Sequence, residues 1–150
     1  MNQLSAVLQF PPASPQQSEA WLRDKLAYYA DAWDVAQDLA AGIAQIVVLD
    51  VRSVGQYRAG HIAGAISFPH RNMTPEALAA LARDTVYITY CDGIGCNGST
   101  KGAWKLAAAG FQVKELIGGL DFWRRDGHPT VTGDDAGTWP ETPAAADCGC

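Results

Sequence analysis

The chain has 150 residues, a length that fits a single globular domain with a core of its own. Hydrophobic residues make up 48% and charged residues 18% of the chain, which excludes a wholly disordered protein. The net charge of −5 argues against nucleic acids and anionic membranes as partners. No apolar run approaches the ~20 residues of a membrane span, and no Lys or Arg precedes Arg23, so we expect neither a membrane protein nor a secretory signal peptide.

The four cysteines form two close pairs, Cys91 with Cys96 and Cys148 with Cys150. So few cysteines are not typical of a disulfide-stabilised fold, and we therefore expect a reducing, cytoplasmic environment. Cys148-Gly149-Cys150 offers two thiolates, whereas a closed zinc site takes four ligands, so we expect no metal and no cofactor.

The first predicted unit is an N-terminal arm with an extra helix, residues 1–33. Ser14-Pro15-Gln16-Gln17 is typical of a helix start, with Ser as the N-cap, Pro in the first turn and Gln completing a capping box. Apolar residues follow at helical spacing and predict one buried face: Leu22, Leu26, Tyr29 and Trp33. Whether this helix covers a sheet edge or mediates dimerisation stays open, as does the oligomeric state.

Strands and helices then alternate along the chain. A short helix is expected from Asp34 to the residue before Gly42. The apolar run at 46–49 is typical of a strand buried on both faces, and further strands are expected at 65–68, 86–90 and 113–117. Helices are expected after Thr74, as N-cap, and at 99–109. This order predicts an α/β fold with a parallel sheet, followed by a flexible acidic tail over 131–150 that ends in Cys-Gly-Cys.

The candidate site follows the strand predicted at 86–90. The chain passes from that strand into a glycine-rich loop made of Cys91, Asp92, Gly93, Ile94, Gly95, Cys96, Asn97 and Gly98. Ligands of open parallel sheets bind beyond the carboxyl ends of the strands. Glycines let backbone N–H groups point inward around an anion, and the positive end of the next helix faces the same point. This environment favours the nucleophilic thiolate of Cys91, although the neighbouring Asp92 carboxylate opposes it. The sequence predicts a reactive Cys91, with the backbone of residues 92–98 binding the substrate.

Several of these segments resemble the rhodanese domain. The residues of this chain that resemble its first signature are Leu49-Asp50-Val51-Arg52, then Tyr57, then Gly60-His61-Ile62-Ala63-Gly64-Ala65. Its second half resembles Cys91 after a strand, Gly110-Phe111, Gly118-Gly119, Trp123 and Gly127-His128-Pro129. The resemblance covers about residues 34–130. It implies a three-layer fold with about five parallel strands flanked by helices. It also implies sulfur transfer through a persulfide on Cys91, from a donor such as thiosulfate to a thiol or protein acceptor.

The loop departs from the family pattern in ways that keep alternatives open. No Arg or Lys lies between Cys91 and Lys101, which argues against a phosphatase or an arsenate reductase because both use an Arg clamp on the oxyanion. A non-enzymatic sulfur carrier or regulatory binding module, and a thiol–disulfide redox protein using Cys91 and Cys96, remain alternatives. Cys96 is either a resolving thiol or a loop filler. Asp50 and Arg52 are expected to form a structural ion pair, and His61 to make structural hydrogen bonds.

Overall fold

The centre of the molecule is a sheet of five parallel strands, as the sequence predicts. The computed structural model of the chain describes residues 4–140. The strands are β1 (Tyr29–Ala30), β2 (Ile46–Asp50), β3 (His61–Ile62), β4 (Ile66–Ser67), β5 (Val86–Tyr90), β6 (Gln112–Leu116) and β7 (Thr130–Val131). The sheet order is β1-β6-β5-β2-β4, and β3 and β7 form a separate antiparallel pair. Strand β5 is therefore central, which places the residues that follow it in the middle of the sheet's carboxyl edge.

Helices cover both faces of this sheet. They are α1 (Pro15–Tyr28), α2 (Ala32–Ala40), α3 (Val54–Ala59), α4 (Pro75–Ala79), α5 (Gly98–Ala108) and α6 (Gly119–Arg125), with 3-10 turns at Val7–Gln9 and His70–Asn72. Side chains alternate along β2, so that Val48 packs in one core cluster with α2 and α6 and Leu49 in the other with α4 and α5. The three-layer α/β architecture is the one that the sequence predicts.

The helix starts are set by local capping. Ser14 accepts a hydrogen bond from the N–H of Gln17, and the Gln17 side chain accepts one from the N–H of Ser14, which confirms the predicted capping box. The expected start of α2 at Asp34 is wrong, because the Asp31 carboxylate caps the helix by accepting from the Asp34 N–H at 2.8 Å. Helix α2 therefore begins two residues earlier than its apolar pattern indicates.

The predicted buried face of α1 is wrong. None of its residues is buried: Leu22 and Leu26 are 53% and 75% exposed, and Tyr29 and Trp33, predicted on the same face, lie in β1 and α2 instead. The chain leaves α1 directly into β1, which adds to the edge of the sheet beside β6. The helix contacts mainly β1 and β6, and none of its residues belongs to either core cluster. Within residues 4–140, no helix is both long and apolar enough to cross a membrane.

The predicted tail does not begin at residue 131. Strand β7 pairs with β3. After β7, two backbone hydrogen bonds attach the chain to the domain: the Gly133 N–H donates to the Arg58 carbonyl at 2.9 Å, and the Gly64 N–H donates to the Ala136 carbonyl at 2.7 Å. The Trp139 ring packs edge-on against Trp123 with the ring centroids 6.1 Å apart. Residues 131–140 are thus attached to the domain mainly by backbone hydrogen bonds. Such bonds need no apolar side chains, so the sequence contains no apolar pattern that predicts them. The rest of the predicted tail, with Cys148 and Cys150, lies outside the described residues.

Candidate active site

Cys91 lies at the carboxyl end of the central strand and is 5% exposed. Its carbonyl oxygen accepts a hydrogen bond from the Leu120 N–H at 3.0 Å, and the Asp92 carbonyl accepts one from the Asp121 N–H at 2.8 Å. The first turn of α6 thereby fixes the start of the loop. These two backbone hydrogen bonds therefore hold Cys91 and Asp92 in position.

Gly119 makes this close approach possible. Its φ is +59°, and a Cβ atom there would lie 2.6 Å from the Cys91 carbonyl oxygen and 2.9 Å from the Gly93 nitrogen. Both the backbone conformation and the lack of space therefore require glycine. This contact explains the second glycine of the Gly118-Gly119 pair, whereas a Cβ atom on Gly118 would lie 2.7 Å from Phe122 Cβ.

A disulfide joins Cys91 to Cys96, with their Cα atoms 6.3 Å apart. The loop folds back so that the Cys96 N–H donates to the Gly93 carbonyl at 3.2 Å and the Gly98 N–H points to Cys96 Sγ at 3.4 Å. Helix α5 begins at Gly98, so its N-terminus does face the Cys91 sulfur, as expected. In this form the Cys91 sulfur is bonded to Cys96 Sγ, and only reduction of the disulfide yields a free Cys91 thiol.

A cavity of about 390 Å³ opens beside the two sulfurs. Its lining residues come from the ends of β2, β4 and β5 and the segments that follow them: Val51, Arg52, Ser53, Val54, Gln56, Pro69, His70, Arg71, Asn72, Cys91, Asp92 and Cys96. Of the predicted site residues, the cavity thus brings together Cys91, Asp92 and Cys96. The Ile94 side chain instead points to solvent and is 78% exposed. The role of the 92–98 backbone in binding an anion stays a prediction.

A buried ion pair forms the floor of the cavity, as predicted for Asp50 and Arg52. The guanidinium donates from Nη2 to Asp50 Oδ2 at 2.6 Å and from Nη1 to Asp92 Oδ1 at 2.9 Å. Burial lowers the pKa of Arg52, but the hydrogen bond and charge of Asp50 outweigh this and raise the pKa above its ordinary value. The Tyr90 hydroxyl also donates to Asp50, at 2.7 Å. Because Arg52 is committed to two carboxylates, it is not a free clamp for a bound anion.

The Asp92 carboxylate, expected to oppose a Cys91 thiolate, has two donors. Besides Arg52, the Gln56 side chain donates from Nε2 to Asp92 Oδ2 at 2.9 Å. Gln56 also completes a capping box with Ser53 at the start of α3. Sequence reasoning assigned no role to Gln56, although the Ser53-x-x-Gln56 spacing is a recognisable helix start. Its amide therefore provides a hydrogen bond to the second oxygen of the Asp92 carboxylate, whose charge is paired with Arg52.

Two basic cavity residues, His70 and Arg71, have no role in the sequence analysis. They lie on the 3-10 turn that follows β4 and line the cavity. The available signal was their position just past the carboxyl end of a parallel strand. His61 has the structural role expected of it: it is buried, stacks on Tyr57 at 3.6 Å, and has its ring nitrogens 2.8 and 2.9 Å from the carbonyl oxygens of Tyr57 and Asp135.

Within residues 4–140, no three His, Cys, Asp or Glu side chains are grouped so as to hold a metal ion. The site is therefore described by a cysteine pair, an ion pair and a histidine around one small cavity.

Residues 34–126 match the family model of the rhodanese-like domain. The chain belongs to this family. Among curated relatives, it is 34% identical over 93 residues to the HTH-type transcriptional regulator Rv0324 of Mycobacterium tuberculosis, a match that covers 62% of this chain and 41% of that protein. It is 33% identical over 92 residues to the chloroplastic thiosulfate sulfurtransferase 16 of Arabidopsis thaliana, covering 55% of this chain and 77% of that one. The chain thus spans less than half of the mycobacterial relative.

Two solved structures superpose on most of the rhodanese-like chain. The crystal structure of the BH2092 protein from Bacillus halodurans has a TM-score of 0.77 and 34% identity, covering 91% of this chain and 96% of that one. The solution structure of the rhodanese-like domain of Alr3790 from Anabaena has a TM-score of 0.61 and 32% identity, covering 79% and 86%. The match to BH2092 covers more of the chain than residues 34–126, so it includes much of the segments before and after them.

Proposed function

We propose that this rhodanese-like protein is a sulfurtransferase that carries sulfane sulfur as a persulfide on Cys91. The observation that carries the proposal is the position of Cys91, buried at the end of the central strand, facing the N-terminus of α5 and a small cavity. The match to the family and the similarity to a thiosulfate sulfurtransferase support the same reaction class.

The reaction begins from the reduced protein. The Cys91 thiolate attacks the outer sulfur of a donor such as thiosulfate, the donor's sulfur–sulfur bond breaks, and sulfite leaves with the bonding electron pair. An acceptor thiolate then attacks the outer sulfur of the persulfide and releases Cys91 as a thiolate. Loop N–H groups and the positive end of α5 stabilise the anionic donor and the persulfide. A cavity of about 390 Å³ is large enough for a small anion.

The cavity needs positive charge for an anionic donor, because the loop contains none. Arg71 lines the cavity, is exposed, and forms no ion pair with any residue between 4 and 140. Lys101 follows on the first turn of α5. These two side chains are the proposed replacements for the basic residue that the family's sulfurtransferases carry within the loop.

The test is the intact mass of the protein before and after thiosulfate, following reduction and removal of the reductant. We expect the wild-type protein and the matched control Cys96→Ser to gain the mass of one sulfur atom, and Cys91→Ser to gain none. Sulfur addition to Cys91→Ser would end the proposal. Stable persulfide without turnover of thiosulfate and cyanide would indicate a sulfur carrier instead of an enzyme.

The Cys91–Cys96 disulfide favours a second candidate function, thiol–disulfide chemistry within the loop. Cys96 attacks the inner sulfur of the persulfide, the disulfide forms, and the outer sulfur leaves as hydrosulfide. A dithiol reductant then restores both thiols. In this scheme Cys96 is a resolving thiol.

Persulfide lifetime distinguishes the two roles of Cys96. Without an acceptor, we expect the persulfide to decay faster in the wild-type protein than in Cys96→Ser, with the disulfide as product. Mass spectrometry follows both species over time. Equal decay rates, with no disulfide formed, would show that Cys96 does not resolve the persulfide.

A further inference from the structure

His70 is held rigidly against the cysteine pair. Its N–H donates to the Val51 carbonyl at 3.0 Å, and its carbonyl oxygen accepts from Lys105 Nζ at 2.6 Å. These bonds tie the turn that carries His70 to the end of β2 and to α5. The backbone from which the His70 side chain extends is therefore held beside the loop.

The imidazole and both sulfurs meet around Gly98. A Cβ atom placed on Gly98 would lie 3.0 Å from Cys91 Sγ, 3.3 Å from Cys96 Sγ and 3.5 Å from His70 Cδ2. The absence of a side chain at Gly98 thus leaves the imidazole edge facing the disulfide. No other histidine of the described chain lines this cavity.

The Nδ1 atom of His70 is buried and has no hydrogen-bond partner among residues 4–140. A buried polar atom without a partner costs about 1–3 kcal/mol, and such an atom in a native fold calls for an explanation. A half-turn of the ring about its Cβ–Cγ bond exchanges Nδ1 with Cδ2, and so brings the nitrogen to the side that faces the sulfurs. In the disulfide form neither sulfur can donate a proton to it; after reduction, a thiol can.

The charges around the imidazole disfavour its protonated form. The charged groups that face it are Arg71 on its own turn, Lys101 and Lys105 on α5, and Arg52 and Asp92 across the cavity. Burial lowers the pKa of His70, and the positive charges of Lys105, Lys101 and Arg71 lower it further. Arg52 and Asp92 are paired with each other. A new negative charge on a cysteine sulfur would therefore be the strongest local change that His70 experiences.

We propose that His70 takes up a proton when the Cys91–Cys96 disulfide is reduced, and then pairs as an imidazolium with the Cys91 thiolate. A dithiol reductant supplies two electrons and two protons and becomes a disulfide. The Cys91–Cys96 bond breaks, one proton stays on Cys96 as a thiol, and the other goes to His70. The inference rests on the proposed role of Cys91 as the reactive thiol, and it assigns to His70 the positioning of that thiolate.

The direct test is an NMR titration of the imidazole resonances in the disulfide form and in the dithiothreitol-reduced form. We expect the titration midpoint of His70 to rise by about one pH unit or more on reduction, because an adjacent thiolate favours the imidazolium. His128 packs against Trp123 and does not line the cavity, so its imidazole resonances serve as the internal reference. The same His70 midpoint in both forms would overturn the proposal.

A second measurement uses the reactivity of Cys91, followed by mass spectrometry of the peptide that contains it, because the chain also contains Cys148 and Cys150. In Cys96→Ser and in Cys96→Ser/His70→Gln, the rate of alkylation by iodoacetamide is followed against pH, with circular dichroism confirming that both variants fold. We expect the midpoint of the alkylation profile to lie about one unit higher in the double variant, because Gln carries no charge. Coinciding profiles would contradict the pairing. Neither measurement uses a sulfur donor, so a failure here is distinguishable from a failure to form the persulfide.

Discussion

The segments on either side of the family-matched region are attached in opposite ways. Helix α1 carries several large apolar side chains and buries none of them. Residues 131–140 are rich in Gly, Asp and Thr, yet they pair with β3 and pack Trp139 against Trp123. The number of apolar residues in a flanking segment is therefore a poor guide to whether the segment is packed.

The difference depends on where the backbone N–H and C=O groups of each segment find their hydrogen-bond partners. A helix makes its own hydrogen bonds, so α1 is complete without the rest of the domain. A short strand such as β3 has N–H and C=O groups that need an outside partner, and the segment that begins with β7 supplies it. Three predictions, from the largest expected effect to the smallest, test this comparison.

The largest effect is expected from truncation after residue 132. Compared with truncation after Pro140, it should lower the free energy of unfolding by about 2–4 kcal/mol, because it removes the backbone bonds of Gly133 and Ala136 and leaves His61 Nε2 without the Asp135 carbonyl. Urea denaturation of the two truncated proteins gives the difference. Equal midpoints and slopes would show that residues 133–140 do not stabilise the domain.

An intermediate effect is expected from a matched pair of tryptophan substitutions. Trp139→Ala should cost about 1–3 kcal/mol of unfolding free energy, because it removes the edge-on contact with the buried Trp123. Trp21→Ala, on the exposed helix α1, should change stability by less than about 0.5 kcal/mol. Thermal or urea unfolding ranks the two variants, and the reverse ranking would contradict the comparison.

The smallest effect is expected from Asp134→Asn. Asp134 forms an ion pair with Arg58, and both side chains are largely exposed. Exposed ion pairs contribute about 0–1 kcal/mol and are screened by salt, so the loss should be small at low salt and smaller at high salt. If the loss of stability does not depend on salt, the Arg58–Asp134 ion pair is not its cause.

The parts of the fold that the sequence predicted are those set by local residue patterns. The apolar run of β2, the Ser14 capping box and the glycine loop after β5 each contain their own signal within a few residues. Cys91 was located in this way, because strand, cysteine, glycines and helix follow one another directly.

The parts that were missed depend on contacts between distant residues. Gln56 and Asp92 are 36 positions apart, and nothing at either position indicates the other. His70 acquires its surroundings only when β4 brings its turn beside the loop. The exposure of α1 was missed for the same reason: helical spacing shows which side chains share a face, whereas the position of β1 at the sheet edge decides what that face meets.

The hydrogen bonds from α6 divide the Cys91–Gly98 loop into a fixed part and a movable part. The carbonyls of Cys91 and Asp92 are held by the first turn of α6, and the close approach of Gly119 leaves no room for them to shift toward it. Ile94 is exposed, and a Cβ atom at Gly95 would meet nothing within 4 Å, so the middle of the loop has space around it. Opening the disulfide should therefore displace Cys96 and leave Cys91 in place. In the proposed sulfur transfer we therefore expect Cys91 to keep one geometry at every step, while Cys96 moves toward it and away from it.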